Sequence, residues 1–483
     1  MSPVEEQTGK RVLLIRPRDN MPAFWFPLGL AFIKSNIPSR HTVEILDCAL
    51  RSIPANSPQF REEIERFNPD VVGVSTLTLT YKEALNVLRE IKAFNENIVT
   101  VIGGPHPTLY PEKVFGEKPV DYIIRGEGDV AFSNLLDYLE GKIDIKSVPG
   151  IVYEENGNIV NNDVWLEWDM DRIKYPDYTA AGLDAYYKKG YRYGGFYGKC
   201  APIWVTRGCP YACKFCSSPL INGKKIRGHS PEWINGLIKH LYDQYGVRQF
   251  TIVDDNFTFE IDYAKTFCRE IIKLKENNQF PEGIMFTTPN GIRMQRIDDE
   301  LLQLMKQAGW EGVTVAPESG SKRILKIMQK GLDPSIVPGC VDRIKAVGLK
   351  VRAFFIVGYP GETKEDTRDT IKLLRKCKID AFMVSLFHPI PGTPVYDDLV
   401  AQGKISDDFV PDSFSNAIVP KILRRTNTEK YITEGFEDFS LFWFALRENL
   451  LLWFRNPRSF IYFIKLNGFF NVIKKLYQLA TYK

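Results

Sequence analysis

The stretch TRGCPYACKFCSS, residues 206–218, places three cysteines in one loop directly after a short apolar run. Cys209, Cys213 and Cys216 follow one another at intervals of four and then three positions. A closed zinc site needs four ligands, and the nearest other thiol, Cys200, precedes the predicted strand. Three cysteines can instead hold a [4Fe-4S] cluster. The spacing therefore predicts a cluster with one iron open to a small molecule.

Length, composition and charge indicate an ordinary globular protein. The chain has 483 residues, 44% hydrophobic and 25% charged, which fits two or three domains. The first ten residues are polar, so we expect no targeting segment and a cytoplasmic location. Eight cysteines in such a chain do not indicate a disulfide framework. The net charge is +4, but the tail from Leu441 alone carries +6. The body, at −2, predicts no nucleic-acid partner.

The first 140 residues alternate between strand and helix patterns. Between the third and fourth strands, Ala84, Val87, Leu88 and Ile91 recur at helical spacing. This alternation predicts an α/β fold, a doubly wound, Rossmann-like parallel sheet that binds its ligand beyond the carboxyl ends of the strands. Five apolar runs predict the strands: 11–15, 42–46, 71–75, 98–104 and 121–126.

Small and polar residues stand at the predicted strand ends. Glycine lets the backbone approach a large ligand closely, although these positions could equally be tight turns with a surface histidine. The absence of GxGxxG after the first strand disfavours a dinucleotide. The candidates are Ser75, Thr76, Gly103, Gly104, His106, Gly126, Glu127 and Gly128.

A second domain repeats strand and helix about six times. Six such units cannot close an eight-stranded barrel, so we expect a partial (β/α)6 barrel with its chemistry at the carboxyl ends. The predicted strands are 202–207, 249–255, 284–288, 312–319, 351–358 and 381–387. The predicted divisions are a sheet domain at 8–145, a connector at 146–199, the barrel at 200–405 and a helical C-terminal region at 406–483.

CPYACKFC resembles the CxxxCxxC signature of the radical SAM superfamily, and the resemblance covers roughly residues 200–400. It implies that S-adenosylmethionine chelates the open iron and is cleaved to a 5′-deoxyadenosyl radical. It further implies that Glu318 and Ser319, in APESGS, hold the ribose or methionine part and that Phe215 packs near the adenine. Each of these could instead serve as a helix cap or a turn residue.

With this barrel, the N-terminal sheet resembles the cobalamin-binding class of the same superfamily, over about residues 10–405. This resemblance assigns the strand-end residues to cobalamin. The cobalt-ligating motif DxHxxG reads DCALRS here, with Ala49 and Ser52 in place of histidine and glycine. The resemblance thus implies a corrin bound without a histidine from that loop.

Several other residues have two interpretations. Cys200 could donate hydrogen near the substrate or simply pack, and Tyr359 and His388 are candidates at the catalytic end of the barrel. Asp254 and Asp255 could be an acid/base pair or could cap the following turn. Three further cysteines in helical patterns are expected in the core: Cys268, Cys340 and Cys377.

The segment 439–480 is aromatic and basic, and charges interrupt every stretch long enough to span a membrane. It predicts amphipathic helices that either cap the barrel or touch a membrane surface. The layout resembles the branch with the anaerobic magnesium-protoporphyrin ester cyclase, the bacteriochlorophyllide methyltransferases and the hopanoid methylases.

That branch implies methylation of an unactivated carbon on a small hydrophobic substrate such as a tetrapyrrole. It implies a reduced ferredoxin- or flavodoxin-type electron donor. The alternatives are an oxidative ring-forming enzyme with the same cofactors and a non-catalytic corrin- or metal-binding sensor or carrier.

Overall fold

The computed structural model describes residues 9–19, 25–117, 119–191, 193, 198–280, 283–410 and 441–461. The chain forms two compact units. The N-terminal unit comprises residues 1–191 with 220–223, and the barrel unit comprises residues 192–219 and 224–483.

The N-terminal unit is built on one seven-stranded sheet in the order β2-β1-β3-β4-β5-β6-β7. The first five strands run parallel, and β6 and β7 continue the sheet antiparallel. All five predicted strands are confirmed. The strands are β1 Arg11–Arg16, β2 Thr42–Asp47, β3 Val71–Ser75, β4 Val99–Gly103, β5 Tyr122–Ile124, β6 Ile151–Glu155 and β7 Asn158–Asn161.

Helices cover both faces of this sheet, so a central strand must be apolar on both sides. In β1, Leu13 and Ile15 join one buried cluster, while Val12 and Leu14 join the other. The predicted face of α4 is buried as expected. The helices are α1 Leu28–Asn36, α2 Cys48–Arg51, α3 Pro58–Phe67, α4 Tyr81–Phe94, α5 Pro105–Leu109, α6 Pro111–Phe115, α7 Gly128–Leu139 and α8 Leu183–Lys188.

The barrel unit has six main parallel strands in two three-stranded sheets, β8-β11-β12 and β13-β14-β15. Isolated parallel bridges from Phe286 to Trp310 and from Ile292 to Val315 link the two groups. The predicted partial barrel is confirmed. The strands are β8 Cys200–Ile203, β9 Thr206–Arg207, β10 Arg227–Gly228, β11 Gln249–Ile252, β12 Met285–Thr287, β13 Gly312–Glu318, β14 Lys350–Val357 and β15 Ala381–Leu386.

The first predicted barrel strand is broken in two. Trp204 and Val205 interrupt it, and Thr206 and Arg207 pair antiparallel with β10 rather than parallel with β11. The change of partner redirects the chain just before the cysteines.

Helices follow the barrel strands. In α10, Ile234, Leu237, Ile238 and Leu241 recur at helical spacing and are buried. These helices are α9 Ser218–Ile221, α10 Pro231–Tyr245, α11 Ile261–Glu276, α12 Asp299–Ala308, α13 Lys322–Ile327, α14 Val337–Ala346, α15 Lys364–Lys376, α16 Pro394–Ala401 and α17 Leu441–Arg455. Short 3-10 turns occupy Thr78–Thr80, Ile145–Ser147, Met170–Arg172, Met294–Arg296 and Pro334–Ile336.

Helix α17 packs against β15. Its Glu448 is fully buried and accepts two hydrogen bonds from Arg375, at 2.7 and 2.9 Å, and one from Arg447. Burial alone raises the pKa of a carboxyl, but the bonds and charges of the two arginines outweigh it and lower the pKa of Glu448. This favours the cap interpretation for α17. The other predicted tail helices lie outside the described residues, among which no helix is long and apolar enough to cross a membrane.

Candidate active site

The three cysteines lie in the loop between β9 and α9, which Gly208 opens with a φ of +101°. Burial raises the pKa of Cys209 to about 11, and the neighbouring Cys216 and Cys213 add to the shift. The pKa of Cys216 is raised in the same way, by burial and by Cys213. All three thiols lie within eight residues of this one loop.

Buried Asp254, directly after β11, fixes the entrance to this loop. Its Oδ1 accepts a hydrogen bond from the backbone N of Val205 at 2.8 Å. Its Oδ2 accepts from the backbone N of Thr206 at 2.8 Å and from the Thr206 hydroxyl at 2.7 Å. Burial raises the pKa of Asp254 to about 7. The carboxyl thus holds β9, a role that neither interpretation of the sequence included.

The middle of the loop is tied to two helices. The backbone N of Lys214 donates to the carbonyl of Met328, just after α13, at 2.9 Å. The backbone N of Val395, in α16, donates to the Lys214 carbonyl at 3.2 Å. These bonds fix the loop before any cofactor binds, which reduces the ordering cost of binding.

Two of the residues predicted for S-adenosylmethionine come together. Glu318 ends β13 with a φ of +66°, and its Oε1 lies 2.7 Å from Nζ of Lys330. That ammonium group lies 5.7 Å from the ring of Phe215. Ser319 differs, because its hydroxyl accepts from the backbone N of Ser321 at 3.1 Å and meets Thr370 at 3.2 Å. The hydroxyl of Ser319 is therefore engaged in the local turn.

Tyr359 and His388 follow the carboxyl ends of β14 and β15. Tyr359 packs edge-on to Phe215 and Phe387, and its buried hydroxyl has no hydrogen-bond partner among the described residues. Burial raises the pKa of Tyr359 and lowers that of His388 to about 4. Cys200 is instead the first residue of β8, at the opposite edge of the barrel. Its position favours the packing role over hydrogen donation to a substrate.

The three remaining barrel cysteines are buried thiols. Cys268 lies in α11, Cys340 in α14, and Cys377 directly follows α15. Burial raises the pKa of each thiol. They belong to the core, as the helical patterns predicted.

Sequence reasoning missed one side chain beside the cysteines. Arg293 follows β12, and its Nη1 lies 3.9 Å from the Sγ of Cys213. Its guanidinium lies 3.7 Å from the ring centroid of Tyr211, inside the cysteine loop. Its Nη2 donates to the carbonyl of Lys330. The sequence feature that could have pointed to Arg293 is a basic residue shortly after a barrel strand, in NGIRMQR.

In the N-terminal unit, the candidate glycines are required by packing within the unit. Gly104 has a φ of +97°, and a Cβ there would lie 2.7 Å from the carbonyl oxygen of Thr76. A Cβ on Gly126 would lie 2.7 Å from Val164, and one on Gly128 would lie 2.9 Å from Ile33. At each of these positions a neighbouring residue lies too close for a side chain, so glycine is required there.

His106 is buried, at 4% exposed, so it is not a surface histidine, as one interpretation of the sequence suggested. Its ring lies 4.2 Å from that of Tyr81 and 6.2 Å from that of Tyr110. Its Nδ1 lies 3.3 Å from the hydroxyl of Thr78. Burial lowers the pKa of His106 to about 4. The imidazole is a neutral member of the packed loop.

The DCALRS loop is also engaged within the unit. Asp47 accepts from the backbone N of Leu50 at 2.8 Å and from the hydroxyl of Tyr186, and it lies 3.5 Å from Arg16. Ser52 has a left-handed φ of +60° at the end of α2. No ligand to cobalt can come from the buried Ala49 in the histidine position.

Comparisons with known proteins place both units. Residues 203–374 match the radical SAM superfamily, and residues 18–136 match the B12 binding domain. An uncharacterized methyltransferase of Pyrococcus horikoshii is 32% identical over 377 residues, which cover 78% of each chain. The chain belongs to the cobalamin-binding class of the radical SAM superfamily.

Other radical SAM relatives differ in their stated reactions. The anaerobic magnesium-protoporphyrin IX monomethyl ester cyclase of Rubrivivax gelatinosus is 27% identical over 82% of this chain and 71% of its own. The bacteriochlorophyllide d C-12(1)-methyltransferase of Chlorobaculum tepidum is 24% identical, over 87% and 85%. The solved structure of the radical S-adenosylmethionine methyltransferase TsrM from Kitasatospora setae shares the fold, with a TM-score of 0.70, 17% identity, and coverage of 92% and 89%.

The chain thus belongs with the cobalamin-dependent radical SAM methyltransferase family, and the cofactors are a [4Fe-4S] cluster, S-adenosylmethionine and cobalamin. The cysteine loop fits the cluster, since three thiols lie within eight residues of a loop that backbone hydrogen bonds hold in place. Among the described residues, no three His, Cys, Asp or Glu side chains gather tightly enough to hold a single metal ion. The cysteines of a cluster instead bind different irons. The N-terminal edge fits a corrin that receives no histidine, since His106 faces Thr78 and Ala49 replaces the ligand.

Proposed function

We propose that this enzyme transfers a methyl group to an unactivated carbon of a small hydrophobic substrate, a tetrapyrrole such as a bacteriochlorophyllide. The observation that carries the proposal is the three-cysteine loop at the carboxyl edge of an open barrel, in a chain that also matches the B12 binding domain. Together the bound cofactors supply a primary alkyl radical and a methyl donor that reacts by homolysis.

The chain's own residues fix and shield the reacting centre. Asp254 holds the start of the cysteine loop, and the bonds of Lys214 hold its middle. The buried Lys330–Glu318 pair lies beside the half-buried ring of Phe215, which belongs to the loop. Buried groups of this kind exclude water, which would quench a radical.

The tetrapyrrole part rests on likeness to relatives. By its name, the Chlorobaculum enzyme methylates a bacteriochlorophyllide, and the Rubrivivax enzyme acts on a magnesium porphyrin ester. Both are aligned over most of this chain. The Rubrivivax relative, a cyclase by name, also supports the alternative reaction, oxidative ring formation.

An anaerobic assay with the reconstituted enzyme and a bacteriochlorophyllide separates the possibilities. Methyl transfer predicts methylated product, S-adenosylhomocysteine and 5′-deoxyadenosine in equal amounts, because one S-adenosylmethionine supplies the radical and another supplies the methyl group. Ring formation predicts 5′-deoxyadenosine without S-adenosylhomocysteine. A sensor or carrier yields neither product, and either of these two results overturns the proposal.

The radical SAM reaction consumes electrons, so the enzyme needs a reductant. We propose a reduced ferredoxin or flavodoxin as the donor. Turnover with reduced flavodoxin at a rate at or above that with dithionite supports this partner. Turnover with dithionite alone contradicts it.

We propose in addition that the end of α17 touches an anionic membrane surface, which would suit a hydrophobic substrate. Phe454 is 87% exposed and Leu450 is 53% exposed, beside the exposed Arg455 and Arg458. Apolar and basic side chains in one patch are typical of interfacial helices. Phe454→Glu should abolish co-sedimentation with phosphatidylglycerol vesicles. The control Ile336→Glu, at an exposed apolar residue elsewhere on the barrel unit, should not. Equal binding by both variants contradicts the contact.

A further inference from the structure

Arg293 is a buried cation without an anion among the described residues. The residue is 9% exposed, and no described carboxylate lies within ion-pair distance of it. Of its three nitrogens, Nη1 points to the Sγ of Cys213 and Nη2 donates to the carbonyl of Lys330. The third, Nε, is buried without a hydrogen-bond partner. Buried charges in proteins are normally paired.

The neutral contacts of Arg293 offset only part of this cost. The ring of Tyr211, 3.7 Å from the guanidinium, supplies a cation–π contact, and one backbone carbonyl supplies a hydrogen bond. Neither carries a net charge. The remaining compensation must come from a negative group that reaches the Cys213 side of the guanidinium.

A cluster on Cys209, Cys213 and Cys216 is such a group. Its three thiolates outweigh the charge of its core, and each added electron makes the assembly more negative. A cation that touches one of these sulfurs stabilises the reduced form more than the oxidised form. Hydrogen bonds to the sulfurs and nearby charge are recognised controls of cluster potential.

We propose that Arg293 is the counter-ion of the cluster and that it raises the cluster's reduction potential through its contact with Cys213. It is a positioning residue, because it acts through the cysteine and the loop rather than on the substrate. This role depends on the cluster alone and not on which substrate is methylated.

The variants Arg293→Gln and Arg293→Lys test the role, with Arg296→Gln as the matched control. Arg296 lies three residues on, donates to the carbonyl of Phe259 and stacks on that ring at 4.8 Å, and has no contact with a cysteine among the described residues. The measurement is a redox titration of the reconstituted cluster by electron paramagnetic resonance, without S-adenosylmethionine or substrate. Removing the charge should lower the ratio of reduced to oxidised cluster at a fixed potential about tenfold. This corresponds to a fall of about 59 mV in the one-electron reduction potential.

Arg293→Lys should recover part of the shift, and Arg296→Gln should match the unaltered protein. An unchanged potential in Arg293→Gln at full iron content overturns the proposal, as does an equal shift in the control. If the Gln variant holds no iron, recovery of iron by the Lys variant supports the counter-ion role and its failure overturns it. If the potential is unchanged and a separate binding titration shows weaker S-adenosylmethionine binding, Arg293 belongs to the cosubstrate site and the proposal is overturned. Because no substrate is present, these outcomes do not depend on the methyl-transfer assay.

Discussion

Two regions of the molecule differ in how many of their buried polar groups lack a hydrogen-bond partner. They are the cysteine loop of the barrel unit and the glycine-bearing edge of the N-terminal unit. Near the cysteines, Arg293 Nε and the Tyr359 hydroxyl are buried without partners among the described residues. At the N-terminal edge, His106 is in contact with Thr78, and Asp47 is bonded to Tyr186. The two groups near the cysteines thus have unused hydrogen-bonding capacity, whereas His106 and Asp47 are engaged; Nε of Arg125 is one buried nitrogen of the N-terminal edge that also lacks a partner among the described residues.

This difference reflects two ways of holding a cofactor. A cluster is held by a few strong, directed bonds, so its site contains thiols and donors that the apoprotein cannot satisfy. A large planar ligand without a histidine bond is held by shape, so its site consists of close backbone approaches. Single substitutions should therefore act on the two cofactors separately.

The largest difference between the effects on iron and on corrin binding is expected when Cys209, Cys213 and Cys216 are replaced with alanine. Iron should fall from about four atoms per chain to near zero, because all protein ligands are gone. The corrin spectrum should remain, since the N-terminal unit is unaltered. Iron and corrin are measured on anaerobically purified protein, and Cys340→Ala, a core thiol of α14, is the control. Loss of both cofactors would show that the two sites are not separable.

The substitution Gly104→Ala should have the opposite effect, weakening corrin binding and leaving iron unchanged. Its Cβ would lie 2.7 Å from the Thr76 carbonyl oxygen at a φ of +97°, so the strand ends must move apart, at a cost of about 1–3 kcal/mol. Corrin binding should weaken about tenfold or more while iron stays at the level of the unaltered protein. Gly141→Ala is the matched control, because Gly141 also has a positive φ but nothing within 4 Å of its added Cβ. Equal loss in both variants would attribute the effect to backbone strain alone.

A partial effect is expected from Asp254→Asn. The amide can accept from Val205 or Thr206 but not from both, which leaves a buried donor unsatisfied at a cost of about 1–3 kcal/mol. Iron loading should fall but not vanish. Full loading in this variant would mean that Asp254 does not hold the loop.

The same variant has a pH signature. Burial raises the folded pKa of Asp254 to about 7, so its protonation favours the folded state. That contribution is complete below the unfolded pKa and is lost as the pH rises through about 7. The stability difference between the two proteins, from urea unfolding, should shrink between pH 5 and pH 8. A constant difference would contradict the shifted pKa.

The sequence predicts those features that depend on near neighbours. The strands of the N-terminal sheet are apolar on both faces, as β1 illustrates, and α4 repeats its buried residues at helical spacing. The cysteine loop was recognised because its three thiols lie within eight residues. Local pattern and local chemistry agree in each of these cases.

Features that depend on distant contacts were missed. Arg293 meets a cysteine 80 residues away, and Asp254 bonds to backbone 48 and 49 residues away. The crossovers of the barrel bring these pairs together, and no periodicity in the sequence records that. The break between β8 and β9 has the same origin, since it depends on pairing with β10.

The smallest effect is expected from His106→Gln. The imidazole is neutral above about pH 4 and its Nδ1 contacts Thr78, so it should not ligate cobalt. The visible spectrum of the bound corrin should be unchanged and constant between pH 5 and pH 8. Since burial lowers the folded pKa of His106, the unaltered protein loses stability as the pH falls from about 6.5 towards 4, and the variant should lose less. A spectral shift in the variant would instead make His106 a cobalt ligand and would give the N-terminal edge a directed bond of the kind found at the cysteines.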